Sequence, residues 1–215
     1  MLDIARNLYD IINSVPDYVK LVVVSKKRSI RDIEEVYNAK HRDFGENRVR
    51  DLCDKYQELP KDIRWHMIGH LQVNKVKYIA PFVELIHSVD SLKLLKEINK
   101  RAIQNNRKIN CLLQLNISKE VDKYGFSESD LKDFFFSEDI GQLSNVNILG
   151  LMGMATNTKD IEQISKEFVS LNSLFQTFKK DFGLKIISMG MSNDYSIAIE
   201  NGSNMIRVGR SIFES

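Results

Sequence analysis

The feature that most constrains the fold of this chain is a regular alternation of two kinds of segment. Short runs of apolar and β-branched residues, bounded by turn residues, predict strands at residues 21–25, 43–45, 65–69, 85–88, 111–117, 148–152, 185–189 and 205–209. Longer segments with apolar residues at helical spacing lie between them, at residues 30–40, 47–57, 73–79, 91–105, 127–136, 160–180 and 194–201. Strands that alternate with helices in this way pair in parallel.

Two parallel architectures satisfy this alternation, an open doubly wound sheet and a closed (β/α)8 barrel. The count of eight strands and the lack of a GxGxxG motif after the first one favour the barrel. Residues 2–15 precede the first strand and predict an additional amphipathic helix. We therefore predict an α/β protein with one domain over residues 1–215, a single (β/α)8 TIM barrel with an extra N-terminal helix.

Composition limits the class of protein and of partner. A net charge of +2 is too small to indicate a nucleic-acid or membrane surface, and no apolar stretch approaches the roughly 20 residues of a membrane helix. The N-terminus mixes acids and amides with apolar residues, unlike a secretory signal. Cys53 and Cys111 are far apart and form no CxxC pattern, which indicates reduced thiols. We expect a cytoplasmic monomer.

A lysine stands where barrels of this kind carry their functional residues, at the carboxyl end of a strand. Lys26 follows the apolar run of the first strand, where burial of its stem would ease proton loss from its amine. A neutral amine condenses with aldehydes, so Lys26 is a candidate Schiff-base residue. From its position alone, Lys26 could equally be a lysine at the barrel rim whose amine reaches solvent and binds no ligand. By strand alternation, Lys27 is expected to point away from the barrel mouth.

The loops after the seventh and eighth strands form the recurrent phosphate site of this fold. Glycines there let backbone N–H groups approach an oxyanion, while hydroxyls and guanidinium groups add donors. The chain offers these groups at Gly190, Ser192, Arg207, Gly209, Arg210 and Ser211. A helix that begins near Asp194 adds the positive end of its dipole. A lysine on the first strand and a phosphate site on the last two would fit one ligand with an aldehyde and a phosphate.

Short motifs that span nearly the whole chain sharpen this hypothesis. They are VVSK at 23–26, FGEN at 44–47, WHMIGHLQVNK at 65–75, NIS at 116–118, KYGF at 123–126, GLMGM at 150–154, MGMSND at 189–194 and IRVG at 206–209. In order and spacing the chain closely resembles the YggS/PROSC-type pyridoxal 5′-phosphate (PLP) homeostasis proteins. The fold that this resemblance implies is the N-terminal barrel of alanine racemase without its second domain.

The resemblance also implies roles for particular residues. It implies that Lys26 holds PLP as a covalent Schiff base, that Asn47 lies beside the ring, and that Lys123 helps PLP to enter and leave. The residues implied around the phosphate are Ser192, Arg207, Gly209 and Arg210. The implied role is to bind, buffer and supply PLP, a vitamin B6 cofactor, with apo-PLP-enzymes as recipients and with no established catalytic activity.

Three positions depart from the pattern of that family. Arg48 replaces the usual aromatic residue after Gly-Glu-Asn, which would alter the exposed edge of the cofactor. Arg210 takes a place that is often filled by a small hydroxyl residue, so that a charged donor replaces an O–H donor. The usual glycine after Phe213 is absent. The lysine and both phosphate-site glycines are retained.

Other functions remain open at this point. A PLP-dependent racemase, or another small PLP enzyme, would use the same lysine but needs a second acid or base on the opposite face of the cofactor. Related enzymes draw that group from an extra β-domain, for which we expect no room after the eighth strand. A Schiff-base aldolase would also combine a lysine with a phosphate site. His66 and His70 do not share a helical face and have no third ligand nearby, so we expect no metal.

Overall fold

The computed structural model of the protein describes residues 3–118 and 124–214. Within these residues, eight parallel strands form one closed barrel in sequence order, as predicted. The strands are β1 (Lys20–Val24), β2 (Asp43–Glu46), β3 (Arg64–Met67), β4 (Leu85–Val89), β5 (Ile109–Leu115), β6 (Val146–Gly153), β7 (Ile186–Ser188) and β8 (Met205–Val208). Strand β1 pairs with β8 from Lys20↔Met205 to Val23↔Val208, which closes the barrel.

Helices cover the outside of the barrel and make the chain a (β/α)8 fold. They are α1 (Ile4–Ser14), α2 (Ile30–Asn38), α3 (Val49–Glu58), α4 (Val76–Ile79), α5 (Leu92–Gln104), α6 (Glu128–Phe135), α7 (Ile161–Lys179), α8 (Tyr195–Glu200) and α9 (Arg210–Phe213). Short 3-10 helices lie at Val73–Lys75 and Glu138–Gln142. No helix among the described residues is long and apolar enough to cross a membrane.

The extra N-terminal helix that the sequence predicts is present as α1. The side chain of Asp3 accepts a hydrogen bond from the N–H of Arg6 and caps its start. Its apolar face buries Ile4, Leu8 and Ile11, and α1 packs against α9 and α2. The helix therefore covers the side of the barrel next to the junction between the first and last strands.

Two separate apolar clusters hold the barrel together. The larger lies between the strands and the helices, where Phe44, Trp65 and Phe168 are fully buried. The smaller fills the barrel interior with side chains from five strands: Val22, Leu85, Leu112, Met152 and Met205. Because strands in such a barrel are covered on both faces, several of them are mostly apolar in sequence, as in β1, β4 and β5.

The structure adds two elements that periodicity did not predict, α9 and the 3-10 helix at Glu138–Gln142. Both are too short to show a helical repeat in sequence. The cysteines behave as expected, since Cys53 and Cys111 are both free. Burial raises the pKa of the Cys111 thiol, which makes it an unreactive core residue.

Candidate cofactor site

Lys26 lies just beyond β1, in a tight turn at the carboxyl end of the barrel. The N–H of Arg28 donates to the carbonyl of Ser25 at 3.0 Å, and Lys27 takes a positive φ of 61° within this turn. Two expectations from the sequence are wrong here. The Lys26 side chain is exposed rather than desolvated by its strand. Lys27 does not point away from the mouth, because the strand has already ended and strand alternation no longer applies.

The backbone before Lys26 is held by a buried ion pair. The Nζ atom of Lys55 on α3 lies 2.6 Å from Oε1 of Glu46 and 2.8 Å from the carbonyl oxygen of Ser25. The hydroxyl of Ser25 donates to the same Glu46 oxygen at 2.7 Å. Glu46 is completely buried, and its Oε2 atom has no hydrogen-bond partner among the described residues. These contacts fix the end of β1 and hence the base of the Lys26 side chain.

Glu46 belongs to the FGEN motif at 44–47, whereas no pattern in the sequence singles out its partner Lys55. On a helix with mixed charges, a lysine gives no sign that it folds inward. One feature of the sequence could have indicated the pair: Lys55 lies nine residues after Glu46, on the helix that follows the second strand. Such a pair is recognised only once the packing of α3 on β2 is known.

A cavity of about 540 Å³ opens at this end of the barrel. Its wall combines Lys26 and Asn47 with Gly209 and Arg210, four of the residues that the sequence predicts for cofactor binding. Five cationic side chains line it: Lys26, Lys27, Arg28, Arg48 and Arg210. Glu214 also lines it but is ion-paired with Arg28. The cavity is therefore strongly electropositive and suits an anionic ligand.

The loops after β7 and β8 are joined directly. The N–H of Gly209 donates to Oγ of Ser192 at 3.3 Å, which places the Ser192 hydroxyl beside the cavity wall. Gly190 has a φ of +96°, and a Cβ atom there would lie 2.7 Å from Cβ of Ala198. Glycine is therefore needed at 190 for both backbone conformation and helix packing.

An acidic side chain lies at the start of α8, the helix end that the sequence suggested for anion binding. The buried carboxylate of Asp194 accepts a hydrogen bond from the N–H of Met191 at 2.6 Å. Burial raises the pKa of this carboxyl group, and the Met191 N–H opposes that rise. An acidic side chain of the protein thus lies beside this helix start, and the N–H of Gly209 is already bonded to Ser192. The side-chain donors left for a ligand are the Ser192 hydroxyl and the Arg210 guanidinium.

Arg207 lies below the cavity, inside the barrel, and does not line the cavity wall. Its side chain is buried, with Nη1 donating to Oγ of Ser188 at 2.6 Å and Nη2 donating to the carbonyl of Gly153 at 3.2 Å. Burial lowers the pKa of Arg207 to about 10, although the nearby Asp194 opposes that shift. The guanidinium thus remains a cation at neutral pH.

Asn47 occupies the boundary between two cavities. It lines the electropositive cavity and a second one of about 500 Å³, which His70, Lys75 and Tyr78 also line. The backbone of Gly69 lies so close that a Cβ atom there would be 2.3 Å from the carbonyl oxygen of Asn47. The end of β3 therefore fixes the position of Asn47.

Lys123, the residue predicted to help PLP exchange, lies outside the described residues. Its neighbour Tyr124 stacks on His70, with ring centroids 3.8 Å apart, and Nδ1 of His70 lies 3.1 Å from Asp90. Gln114 on β5 also donates to the carbonyl of Tyr124 at 2.9 Å. The chain directly after Lys123 is therefore attached to the ends of β3 and β5.

The two histidines that were considered as metal ligands, and for which no metal was expected, lie apart. His66 is buried inside the barrel, whereas His70 is exposed at its mouth. Across the parts of the chain that the structure describes, no group of three or more His, Cys, Asp and Glu side chains is placed to hold a metal ion. His66 is instead a barrel residue that is hydrogen-bonded to His87 and Asp43.

Sequence comparisons place these features in a family. Residues 2–215 match the model of the alanine racemase N-terminal domain. A pyridoxal phosphate homeostasis protein of Aquifex aeolicus is 38% identical over 197 residues, which cover 90% of this chain and 86% of that protein. A protein of the same name from Synechocystis is 34% identical over 208 residues, covering 95% of this chain and 94% of its own length.

Structural comparisons agree over the full barrel. PipY from Synechococcus elongatus, solved with PLP bound, superposes with a TM-score of 0.89 at 32% identity, covering 98% of this chain and 99% of PipY. An alanine racemase from Clostridium difficile has a TM-score of 0.81 at 14% identity. It shares the fold, and this chain spans 56% of that enzyme's length.

Proposed function

Because the chain belongs to the pyridoxal phosphate homeostasis family, whose barrel is that of the alanine racemase N-terminal domain, we propose that it binds PLP and buffers or delivers it. The observation that carries this proposal is the cavity in which Lys26 faces Gly209 and Arg210 across the junction of β1 and β8. A cavity of about 540 Å³ lies within the range of small-molecule sites, about 300–1,000 Å³.

Lys26 is the residue that we assign to covalent attachment. Bound PLP would supply an aldehyde, an electrophile for primary amines, and Lys26 would be the amine that attacks it, with water as the leaving product. The turn at 25–28 and the Lys55–Glu46 pair fix the backbone from which the Lys26 side chain extends. The exposure of Lys26 lets its amine reach a ligand that enters from solvent.

The phosphate is assigned to the ends of β7 and β8. The Ser192 hydroxyl and the exposed guanidinium of Arg210 are the donors there, and the N–H of Gly209 holds the Ser192 oxygen in place. Arg207 contributes its buried positive charge from below, and Asn47 contributes an amide at the opposite edge of the cavity. Hydrogen bonds to a doubly charged phosphate are roughly twice as strong as neutral ones, which favours PLP over pyridoxal.

A carrier and an enzyme place different demands on such a site. The curated relatives described above are named for PLP homeostasis rather than for a reaction. The likeness to alanine racemase concerns the fold alone. A carrier needs an accessible cofactor that can leave, and the exposed Lys26 in an open cavity satisfies that need.

Absorbance spectroscopy of the purified protein tests this proposal. We expect added PLP to produce a visible absorbance band that borohydride reduction removes. Peptide mapping of the reduced protein should then find the cofactor on Lys26. Lys26→Ala should lose the band and keep the far-UV spectrum of a folded barrel, whereas Lys27→Ala, a neighbouring lysine of the same cavity, should keep the band. A band that survives Lys26→Ala would overturn the assignment. Racemisation of common amino acids would indicate an enzyme instead.

A further inference from the structure

A chain of hydrogen bonds runs through the interior of the barrel and ends at Arg207. At its other end, Oδ1 of Asp43 lies 3.0 Å from Nε2 of His66. Nδ1 of His66 lies 2.9 Å from Nε2 of His87, and Nδ1 of His87 lies 3.2 Å from Oγ of Ser188. Arg207 donates to that Ser188 oxygen at 2.6 Å. All five side chains are buried, and we call them the interior relay.

The relay has a single consistent direction of hydrogen-bond donation. Burial alone would raise the pKa of Asp43, but hydrogen bonds from His66, Arg64 and Lys20 outweigh burial and hold that pKa well below its ordinary value. Asp43 is therefore an ionised acceptor, and His66 must carry its proton on Nε2. Burial lowers the pKa of both His66 and His87, so each histidine is neutral with one N–H.

The remaining protons follow from this assignment. Neutral His66 accepts at Nδ1, so His87 donates from Nε2 and accepts at its own Nδ1. The hydroxyl of Ser188 then donates to His87, which leaves its oxygen lone pairs to accept from Arg207. Each donor along the relay thus points from the Arg207 cation towards the Asp43 carboxylate.

The two ends of the relay lie at opposite ends of the barrel. Asp43 begins β2, and Lys20 and Arg64, which are partly exposed, bind it at the amino ends of the strands. Arg207 lies near the carboxyl end of β8, two residues before Gly209 of the cavity wall. The charged groups that act on the relay from neighbouring elements are Lys20, Arg64, Glu84 and Asp194.

We propose that the interior relay positions Arg207 and stabilises its charge beneath the cavity, so that Asp43, His66, His87 and Ser188 are positioning residues for the anionic cofactor. This inference rests on the proposed binding of PLP. Apolar side chains already fill the rest of the barrel interior, and buried polar groups cost stability compared with a well-packed apolar core. A hydrogen-bonded route from a carboxylate to a buried arginine offsets the cost of burying that cation.

The inference is tested by a substitution that removes one hydroxyl group from the interior relay. Ser188→Ala removes the acceptor for Arg207 and the donor to His87, while the change in volume is small. Ser203→Ala is the matched control, because Ser203 is equally buried beside β7 and β8 but bonds only to backbone carbonyls. Each variant is titrated with PLP, and the visible band of the bound cofactor is compared with that of wild type.

We expect Ser188→Ala to weaken PLP binding by about tenfold and to shift the visible band. Ser203→Ala should lower thermal stability to a similar degree and leave both the affinity and the band unchanged. If Ser188→Ala does not fold, His87→Gln is a second variant that breaks the hydrogen bonds of the interior relay. The double variant should lose no more affinity than the larger single loss, because both changes break one relay.

Three results would overturn the inference. Wild-type affinity and an unshifted band in both Ser188→Ala and His87→Gln would do so, as would equal effects in Ser203→Ala. Fully additive losses in the double variant would also contradict one connected relay. If wild type itself binds no PLP, the proposed function fails, and the inference that rests on it fails with it. If wild type binds PLP and the relay variants match it, only the inference fails.

Discussion

The backbone of Gly209 lies so close to β1 that a Cβ atom there would be 2.8 Å from the carbonyl oxygen of Val24. This contact joins the strand that leads to Lys26 with the proposed phosphate site. We expect Gly209→Ala to lower the free energy of unfolding by about 1–3 kcal/mol, because the extra atom meets backbone. Urea denaturation measures this. Gly141→Ala is the control, since a Cβ atom at 141 would have nothing within 4 Å, and it should be nearly neutral. Equal losses would refute the close contact.

Because of that contact, a larger side chain at 209 would disturb the barrel as well as the ligand. Ser192→Ala tests the phosphate site more cleanly, since the Ser192 hydroxyl lies beside the cavity wall. We expect about tenfold weaker binding of PLP and unchanged binding of pyridoxal, which lacks the phosphate. Absorbance titration with both ligands measures the difference. Ser196→Ala, an exposed serine on α8, should change neither affinity. Parallel losses for PLP and pyridoxal would argue against a phosphate at Ser192.

The buried pair of Lys55 and Glu46 should contribute strongly to stability. Lys55→Met leaves an unpaired buried carboxylate, so we expect a loss of about 3–5 kcal/mol in the free energy of unfolding. Adding Glu46→Gln removes that charge and should recover part of the loss. Lys132→Met is the control, because its pair with Glu128 is exposed and is worth about 0.5 kcal/mol or less. A small effect of Lys55→Met in urea denaturation would mean that the pair is solvated.

Lys123 is predicted to affect transfer of PLP rather than its binding. An amine there could compete briefly with Lys26 for the aldehyde, and its neighbour Tyr124 is attached to the ends of β3 and β5. Lys123→Ala should slow transfer of PLP to an apo-enzyme while the visible band at equilibrium is retained. Stopped-flow absorbance measures the rate, with Lys132→Ala as the control lysine. Identical rates would make Lys123 an ordinary surface residue.

Stability should fall in mildly acidic solution. Burial lowers the pKa of His41, His66 and His87, whereas in the unfolded chain these groups titrate near 6.5. Below that pH the unfolded chain binds more protons, so the free energy of unfolding decreases as pH falls from 7 to 5. The slope reaches at most about 1.4 kcal/mol per pH unit for each histidine.

Asp43 acts over a different range of pH. Its pKa is depressed, so its contribution is complete above the ordinary carboxyl value near 3.9 and is lost only as pH falls below it. Urea denaturation at pH 5, 6 and 7 measures the histidine effect, and His87→Gln should reduce the slope. A flat profile over this range would contradict the buried neutral histidines.

The sequence predicted the barrel because most of its strands are apolar runs that are buried on both faces. It also predicted that Lys26, Gly209 and Arg210 would meet, because the carboxyl ends of barrel strands share one face, and the family resemblance added Asn47. What it could not predict depends on side-chain direction. The turn after Val24 that brings Lys27 to the cavity is one example, and the inward course of Lys55 is another.

The hydrogen-bonded polar side chains inside the barrel also could not be predicted from the periodicity of apolar residues in the sequence. His66 and His87 each lie within an apolar run, and nothing in either run indicates that they face each other across neighbouring strands. The orientation of Arg207 depends on the same packing, because Ser188 and the carbonyl of Gly153 belong to strands far from it in sequence.

The pairing of β1 with β8 determines when, during synthesis and folding of the chain, the cavity can form. Lys26 precedes Gly209 by most of the barrel in sequence, so during translation the two sides of the cavity come together only after β8 has paired with β1. A nascent or partly unfolded chain carries the lysine without its counterpart. Any ligand held across this junction is therefore bound by the closed barrel alone, and by mass action it opposes opening of the barrel where its ends meet.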